Sequence, residues 1–166
     1  MIAYFQTFNT PVGPFSVAVD ADQRVLATAF GDAAALRSRF KVLDLRLNSS
    51  LTERSRRQVE AYFDGQAQRF DLPIAPQGSA FQQQVWRALL EIPFGHTRTY
   101  GDIATLLGSA PRPVGGAIAR NPIALIVPCH RVVGSNGKLT GFAFGEIVKR
   151  QLLIHEEKPR STQPKR

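Results

Sequence analysis

The sequence predicts a mixed α/β protein in two parts. An N-terminal lobe, residues 1–76, is built on a small antiparallel sheet. A mostly helical C-terminal domain, residues 77–157, carries a helix-turn-helix, and a basic flexible tail occupies residues 158–166. Three observations predict this division. The first third alternates short apolar or aromatic runs with turn clusters, as strands do. Beyond residue 78 the apolar residues recur at helical spacing. Between the two, Leu72-Pro73-Ile74-Ala75-Pro76-Gln77-Gly78 breaks every periodic pattern. With 166 residues, 43% of them apolar and 20% charged, the chain can bury two small cores and is too apolar to remain disordered.

The elements follow in order. Ile2 to Phe8 alternates apolar and smaller residues, and Asn9-Thr10-Pro11-Val12-Gly13-Pro14 is a turn cluster. Phe15 to Val19 and Val25 to Phe30 are two further short strands, joined by Asp20-Ala21-Asp22-Gln23, which completes a meander. Asp32 caps a short helix through Phe40, and Thr52 caps a longer one with Val59, Tyr62 and Phe63 on one face. Ser79 caps a helix with Phe81, Val85, Leu89 and Ile92 at helical spacing, ended by Pro93. A short helix from Thr99 to Gly108 is closed by that glycine. Ser109-Ala110-Pro111 turns the chain into a second short helix from Arg112 to about Arg120, with Pro113 in its first turn, where a missing N–H costs little. Two short helices joined by a tight turn fit a helix-turn-helix whose second helix lies against a DNA groove.

Composition narrows the function classes. The net charge is +8, and half of that excess (Lys158, Arg160, Lys165 and Arg166) sits in the last nine residues, so the tail is either a solubilising end or a polyanion-binding arm. The remainder still leans basic, which keeps nucleic acid among the partners. The longest apolar run, Ile123 to Val127, is far too short to span a bilayer, and the start lacks a secretory signal, so the sequence predicts a soluble, cytoplasmic protein without membrane association. A lone cysteine forms no internal disulfide. One cysteine and three histidines also argue against a structural zinc site.

Ile126-Val127-Pro128-Cys129-His130-Arg131-Val132-Val133 carries the chemistry. A cysteine after an apolar run is ordinarily an inert core residue. Here His130 follows the sulfur directly and Pro128 fixes the backbone before it. A thiol of ordinary pKa, about 8.5, is only a few per cent ionised at neutral pH unless a base or a positive field assists it. An imidazole oriented by a carboxylate is such a base. Glu146, Glu156 and Glu157 are the downstream candidates, and spacing does not choose among them.

Pro128-Cys129-His130-Arg131-Val132-Val133, preceded by Val114-Gly115-Gly116-Ala117 and Asn121-Pro122, resembles the signature of the O6-alkylguanine-DNA alkyltransferases. The resemblance extends upstream through Phe81-Gln82-Gln83-Gln84-Val85-Trp86 and Ile92-Pro93-Phe94-Gly95 to Tyr100, and downstream through Leu152-Leu153-Ile154-His155-Glu156. It spans about residue 79 to 157 in the family's order and spacing. It implies a ribonuclease-H-like N-terminal lobe and a winged-helix-like C-terminal domain. The implied function is direct repair of double-stranded DNA: one alkyl group passes from guanine O6 to the protein's own cysteine, after which the molecule is consumed. O4-alkylthymine is a second candidate substrate. The implied protein is a monomer, with cooperative loading on DNA left open, and it uses no cofactor.

The resemblance also implies roles. Cys129 attacks the alkyl carbon, His130 takes the thiol proton through a water, and Glu156 orients the imidazole. Tyr100 donates a hydrogen bond to the departing base. Asn121 is the hinge that ties the helix-turn-helix to the active-site strand. Arg112 fills the stack when the nucleotide is rotated out in the minor groove, and Thr99, Pro113, Val114, Gly115, Gly116 and Ala117 face DNA with it. For Gly115 and Gly116 the alternative to close approach to DNA is close helix–helix packing. Val132, Phe142, Ala143, Phe144, Gly145 and Ala124 wall the base pocket.

Two departures stand out. Phe144 occupies a place where many members have a small residue, so the sequence predicts faster removal of methyl than of benzyl. Pro111 and Pro113 flank Arg112, which predicts a stiffer helix start with one fewer phosphate contact. The metal-ligand set of some animal members is absent, so no zinc is expected. The rival readings are a non-catalytic alkyltransferase-like protein, in which the nucleophilic cysteine is replaced, a Cys-His-Glu hydrolase, and a plain helix-turn-helix regulator.

Overall fold

The computed structural model describes residues 1–162, with side chains described as far as Glu157, and divides the chain into two units. Unit one comprises residues 1–77 together with 122–126, and unit two residues 78–121 together with the chain from Val127 onward. The segment Pro122–Ile126, read from sequence as part of the C-terminal domain, therefore belongs with the first unit.

In unit one, β1 (Ile2–Thr10), β2 (Gly13–Val19) and β3 (Val25–Ala29) form the expected meander, each pair antiparallel. Gly13 holds φ at +105° at the first hairpin, a conformation that favours glycine. A fourth strand, β4 (Asp44–Leu47), lies parallel to β1 and makes the order β3-β2-β1-β4, so the sheet is mixed. It follows α1 (Ala33–Arg39), whose N-cap Asp32 accepts from the N–H groups of Ala34 and Ala35. All five residues of β3 are buried, which explains its small side chains, Ala27, Thr28 and Ala29. Pro122–Ile126 is tied to this strand: Thr28 N–H donates to Pro122 O at 2.9 Å, and its hydroxyl to Ala124 O at 2.8 Å.

Thr52 precedes α2 (Glu53–Phe63) but does not cap it through its side chain. Its hydroxyl instead donates to Asn48 O and accepts from buried Gln6 Nε2, both at 2.8 Å. A buried amide without that partner costs about 1–3 kcal/mol, which outweighs a cap of about 1 kcal/mol. Val59 and Tyr62 of α2 are buried as expected.

Unit two begins with α3 (Ala80–Leu90), whose capping box joins Ser79 and Gln82. A Cβ at Gly78 would collide with the Trp86 ring, so only glycine fits there. Trp86 is buried and donates its indole N–H to Ala117 O at 2.9 Å. Its removal is expected to cost about 3–5 kcal/mol. A second capping box, Thr99 with Asp102, starts α4 (Tyr100–Leu107), and Gly108 closes it at φ +64° in the left-handed region. Then comes α5 (Pro111–Ala119), with proline at its start. Helices α3, α4 and α5 pack on one another, with Val85, Leu89, Ile103, Ala104, Val114 and Ile118 between them.

The chain then makes one 3-10 turn, Cys129–Arg131, and a two-residue strand β6 (Val132–Val133) beside β5 (Arg98–Thr99). A long helix, α6 (Glu146–Thr162), packs on the 3-10 turn. The first residues of the expected basic tail continue α6 as far as Thr162, while 163–166 and the side chains from 158 onward lie outside the described residues. No helix among the described residues is long and apolar enough to cross a membrane.

Candidate active site

The 3-10 turn places Cys129, His130 and Arg131 together in the interior of unit two, at 6%, 0% and 6% exposure. Asn121, also buried, donates from Nδ2 to Val127 O at 3.0 Å, and Cys129 N–H reaches the same carbonyl at 2.8 Å, so the Asn121 amide fixes the chain just before the sulfur.

Glu156, one of three carboxylates that spacing left open, comes from α6 to meet the turn. Its Oε2 lies 2.7 Å from His130 Nε2. Arg131 grips the same carboxylate with two donors, Nε to Oε1 at 2.8 Å and Nη2 to Oε2 at 3.0 Å, while Nη1 donates to Ile92 O at 2.7 Å. Gly95 N–H points at Oε1 from 3.4 Å. Burial alone would raise the Glu156 pKa. The hydrogen bonds from His130 and Arg131 and the positive charge of Arg131 outweigh it, and the carboxyl is held far below the usual range. Burial is the largest influence on His130 and lowers its pKa, the hydrogen bond and charge of Glu156 oppose it, and the Arg131 and Lys149 charges push with burial, so the net shift is downward. His130 is therefore a neutral imidazole at pH 7, with its proton on the Nε2 that faces Glu156. Its Nδ1, buried and without a hydrogen-bond partner among the described residues, keeps its lone pair.

Tyr100, Thr140 and Lys149 form a second group. The Tyr100 hydroxyl donates to Thr140 O at 2.8 Å, and Lys149 Nζ donates to the same carbonyl at 3.0 Å. Lys149 is fully buried, and its ammonium sits 5.9 Å from the Tyr100 ring centroid. Burial raises the Tyr100 pKa, and negative charge on Cys129 raises it further. Burial lowers Lys149, and the same negative charge opposes that shift. Both responses put the two groups within the electrostatic reach of the sulfur. Beside them opens a cleft of about 660 Å³ lined by Thr99, Tyr100, Gly101, Pro111, Arg112, Gly115, Ala119, Ser135, Thr140 and Gly141. The arrangement holds a nucleophile, a base with an oriented partner and a phenolic donor.

Comparison with known proteins decides the family. The profile described as 6-O-methylguanine DNA methyltransferase, ribonuclease-like domain, matches residues 3–76, and that of the same protein's DNA binding domain matches residues 80–158. The chain belongs to the 6-O-methylguanine DNA methyltransferase family. A methylated-DNA–protein-cysteine methyltransferase of Methanosarcina acetivorans is 45% identical over 90% of this chain and 96% of its own. The constitutive methylated-DNA–protein-cysteine methyltransferase of Bacillus subtilis is 36% identical over 93% and 95%. Among solved structures, the Mycobacterium tuberculosis O6-methylguanine methyltransferase superimposes with a TM-score of 0.85 at 38% identity, covering 99% of this chain and 96% of that one. The crystal structure of Mycobacterium tuberculosis OGT in complex with DNA does so with a TM-score of 0.83 at 37% identity, covering 93% of each.

Within this member of the methyltransferase family, the structure gathers some expected residues and not others. His130 and Glu156 are hydrogen-bonded, Cys129 shares the 3-10 turn with His130, Asn121 holds the Val127 carbonyl that also accepts from Cys129 N–H, and Thr99, Tyr100, Arg112 and Gly115 line the cleft. Val114 and Ala117, expected to face DNA, are buried on the inner face of α5 at 0% and 4% exposure, because helical periodicity turns them toward the α3–α4 core. Pro113 and Gly116 are exposed. A Cβ at Gly116 would meet nothing within 4 Å, and one at Gly115 only the Tyr100 ring at 3.9 Å, so close helix packing does not account for either glycine.

Val132 and Ala124 do not line the cleft. Val132 is fully buried in β6 opposite Arg98, and Ala124 is held in unit one by the Thr28 hydroxyl. Phe142, Ala143, Phe144 and Gly145 do not line it either: Phe142 and Phe144 are half-buried and face each other edge to ring at 5.8 Å, so the bulk of Phe144 is turned onto its neighbour. Arg131, Lys149 and Thr140 took no part in the expected site. Arg131 stood in view within the signature, but Lys149 reads from sequence as a solvated helix residue. Among the described residues no group of three or more His, Cys, Asp or Glu is placed to hold a metal ion.

Proposed function

We propose that this chain repairs O6-alkylguanine in double-stranded DNA by transferring the alkyl group to Cys129 in a single-use reaction. Cys129 Sγ attacks the alkyl carbon, the S–C bond forms as the C–O6 bond breaks, and the thiol proton moves to His130 Nδ1 through a bridging water. The imidazolium is stabilised by Glu156. Negative charge developing on the departing guanine is met by the Tyr100 hydroxyl, which exchanges the Thr140 carbonyl for the base. Arg112 and the exposed edge of α5 meet the DNA, and Arg112 occupies the space of the everted nucleotide. On this reading the protein acts as a cytoplasmic monomer on chromosomal DNA, with O4-alkylthymine repair left open. The product is a stable thioether with no route back to the thiol, so each molecule reacts once.

The observation that carries this reading is the 2.7 Å contact of His130 Nε2 with Glu156, with Nδ1 unpartnered among the described residues and Cys129 next to it in the same 3-10 turn, in a chain that belongs throughout to this family. Incubation with a duplex containing O6-methylguanine, followed by intact-mass measurement, tests it. One methyl, about 14 Da, is expected on the protein and none on the Cys129→Ala variant. Tight lesion binding without a mass gain would point to the non-catalytic relative, and repeated turnover to the hydrolase.

A further inference from the structure

Arg131 belongs to the signature around the nucleophile, yet no step above uses it. It is nearly fully buried, and all three of its donor nitrogens are engaged: two on Glu156 and one on the Ile92 carbonyl. Its guanidinium carbon also stands 5.8 Å from the Phe94 ring centroid. The forked contact is two-point, a geometry that fixes a carboxylate in plane as a lysine would not. Glu156 Oε2 is shared between Arg131 Nη2 and His130 Nε2, so the oxygen that orients the imidazole is itself placed by Arg131.

The charge count gives this geometry its consequence. A carboxylate that faced His130 alone would draw a resident proton onto the ring. Paired with Arg131 it forms a net-neutral unit, which holds the Nε2 proton by a hydrogen bond while leaving Nδ1 unprotonated. The charged groups acting on His130 are Glu156 and Lys149 from α6 and Arg131 from its own turn. Only Arg131 touches the carboxylate among the two cations.

We propose that Arg131 is a positioning residue for alkyl transfer: its fork on Glu156 presents one carboxylate oxygen to His130 and cancels the charge that would otherwise keep the imidazole protonated. The assignment rests on the proposed function for its purpose, but its coupling to His130 is measurable without DNA.

The test follows the ring nitrogens of His130 by NMR in the 15N-labelled full chain, with signals assigned by replacing His96 and His155 in turn. The wild-type ring is expected as the neutral Nε2–H tautomer from pH 8 down to about pH 6, below the ordinary midpoint of about 6.5. In Arg131→Gln the midpoint is expected to move upward, and the acid limb of the alkyl-transfer rate should move with it. A purely structural arginine would lower the rate at every pH without moving either midpoint, and that result overturns the proposal. Arg131→Lys keeps the charge without the fork and is expected to shift the midpoint by less than Arg131→Gln does. If neither variant folds, the wild-type spectrum decides, because an imidazolium at pH 7 overturns the proposal. A shifted His130 midpoint in a protein that takes up no methyl from DNA would leave Arg131 assigned and overturn the repair reading instead.

Discussion

Replacing Gly116 by alanine separates what the fold needs from what DNA needs. Within a helix, glycine is about 1 kcal/mol less favourable than alanine, because it gives up more backbone freedom. The cost is normally accepted where a side chain would collide, but a Cβ at Gly116 meets no atom within 4 Å. Gly116→Ala should therefore stabilise the protein by up to about 1 kcal/mol. For a chain of this size that raises the melting temperature by about 2–4 °C. The same methyl projects from the exposed edge of α5, one residue past Gly115 in the cleft wall and four past Arg112. If the α5 backbone approaches the phosphates closely, the methyl intervenes, and affinity for duplex DNA should fall on the order of tenfold, about 1.4 kcal/mol. Melting curves and fluorescence anisotropy at one fixed salt concentration read the two effects on the same preparation. A variant that gains stability and binds DNA as well as wild type would refute close approach at α5. One that loses stability would show that the open space beside Gly116 is not there.

Other outcomes follow from the same geometry. Gly141 has φ +79°, and a Cβ there would lie 2.5 Å from the Tyr100 hydroxyl, whereas Gly145, at φ +97°, has nothing within 4 Å. Both alanine variants should lose about 1–2 kcal/mol in a thermal melt through backbone strain, but only Gly141→Ala should also slow alkyl transfer, and equal rates would disprove the Tyr100 contact. Glu156→Gln leaves the Arg131 guanidinium buried without its counter-charge, so unfolding should cost about 3–5 kcal/mol less and transfer should slow by at least about 100-fold, as checked by denaturant titration and single-turnover kinetics. Stability should also fall in two stages as the pH drops. His130 has a lowered folded pKa, so the unfolded chain protonates first and stability begins to decline below about pH 6.5. Glu156, also lowered, adds a second decline below about pH 4.3. A melting temperature constant from pH 7 to pH 5 would contradict the neutral, buried His130.

What was legible in the sequence was local. The turn residues, the cap at Ser79 and the Gly108 stop each act within one turn of chain, so their physics lies in neighbouring letters. Strand β4 was not legible, because the alternation of Asp44-Leu45-Arg46-Leu47 is too short to stand out from a loop, and its pairing with β1 is closed across about forty residues. Thr52 satisfies every rule for a cap, yet serves a buried glutamine 46 positions away. The apolar run at Pro122–Ile126 looks like an ordinary core strand and gives no sign that its partner is Thr28. At the site, the nucleophile and its base were visible because they are adjacent. The choice of Glu156 came from resemblance, and the structure supplies its reason: of the three candidates it alone comes within bonding distance of His130 among the described contacts.

Helix α5 shows why a contiguous motif is a poor guide to a binding face. Val114, Ala117 and Ile118 are spaced to fall on one side, and that side is buried against α3 and α4. What remains outward is Pro111, Arg112, Pro113, Gly116, Ala119 and Arg120, with Gly115 at the edge. Apart from its two arginines and two prolines, this face carries nothing larger than a methyl group. A helix that must sit shallowly against a backbone of phosphates needs an outer surface of this kind: small in the middle, so that its own amides come near, and cationic at its ends. On the proposed function the inner face supplies all the packing that anchors the helix, and residues of one short signature divide between packing and DNA contact.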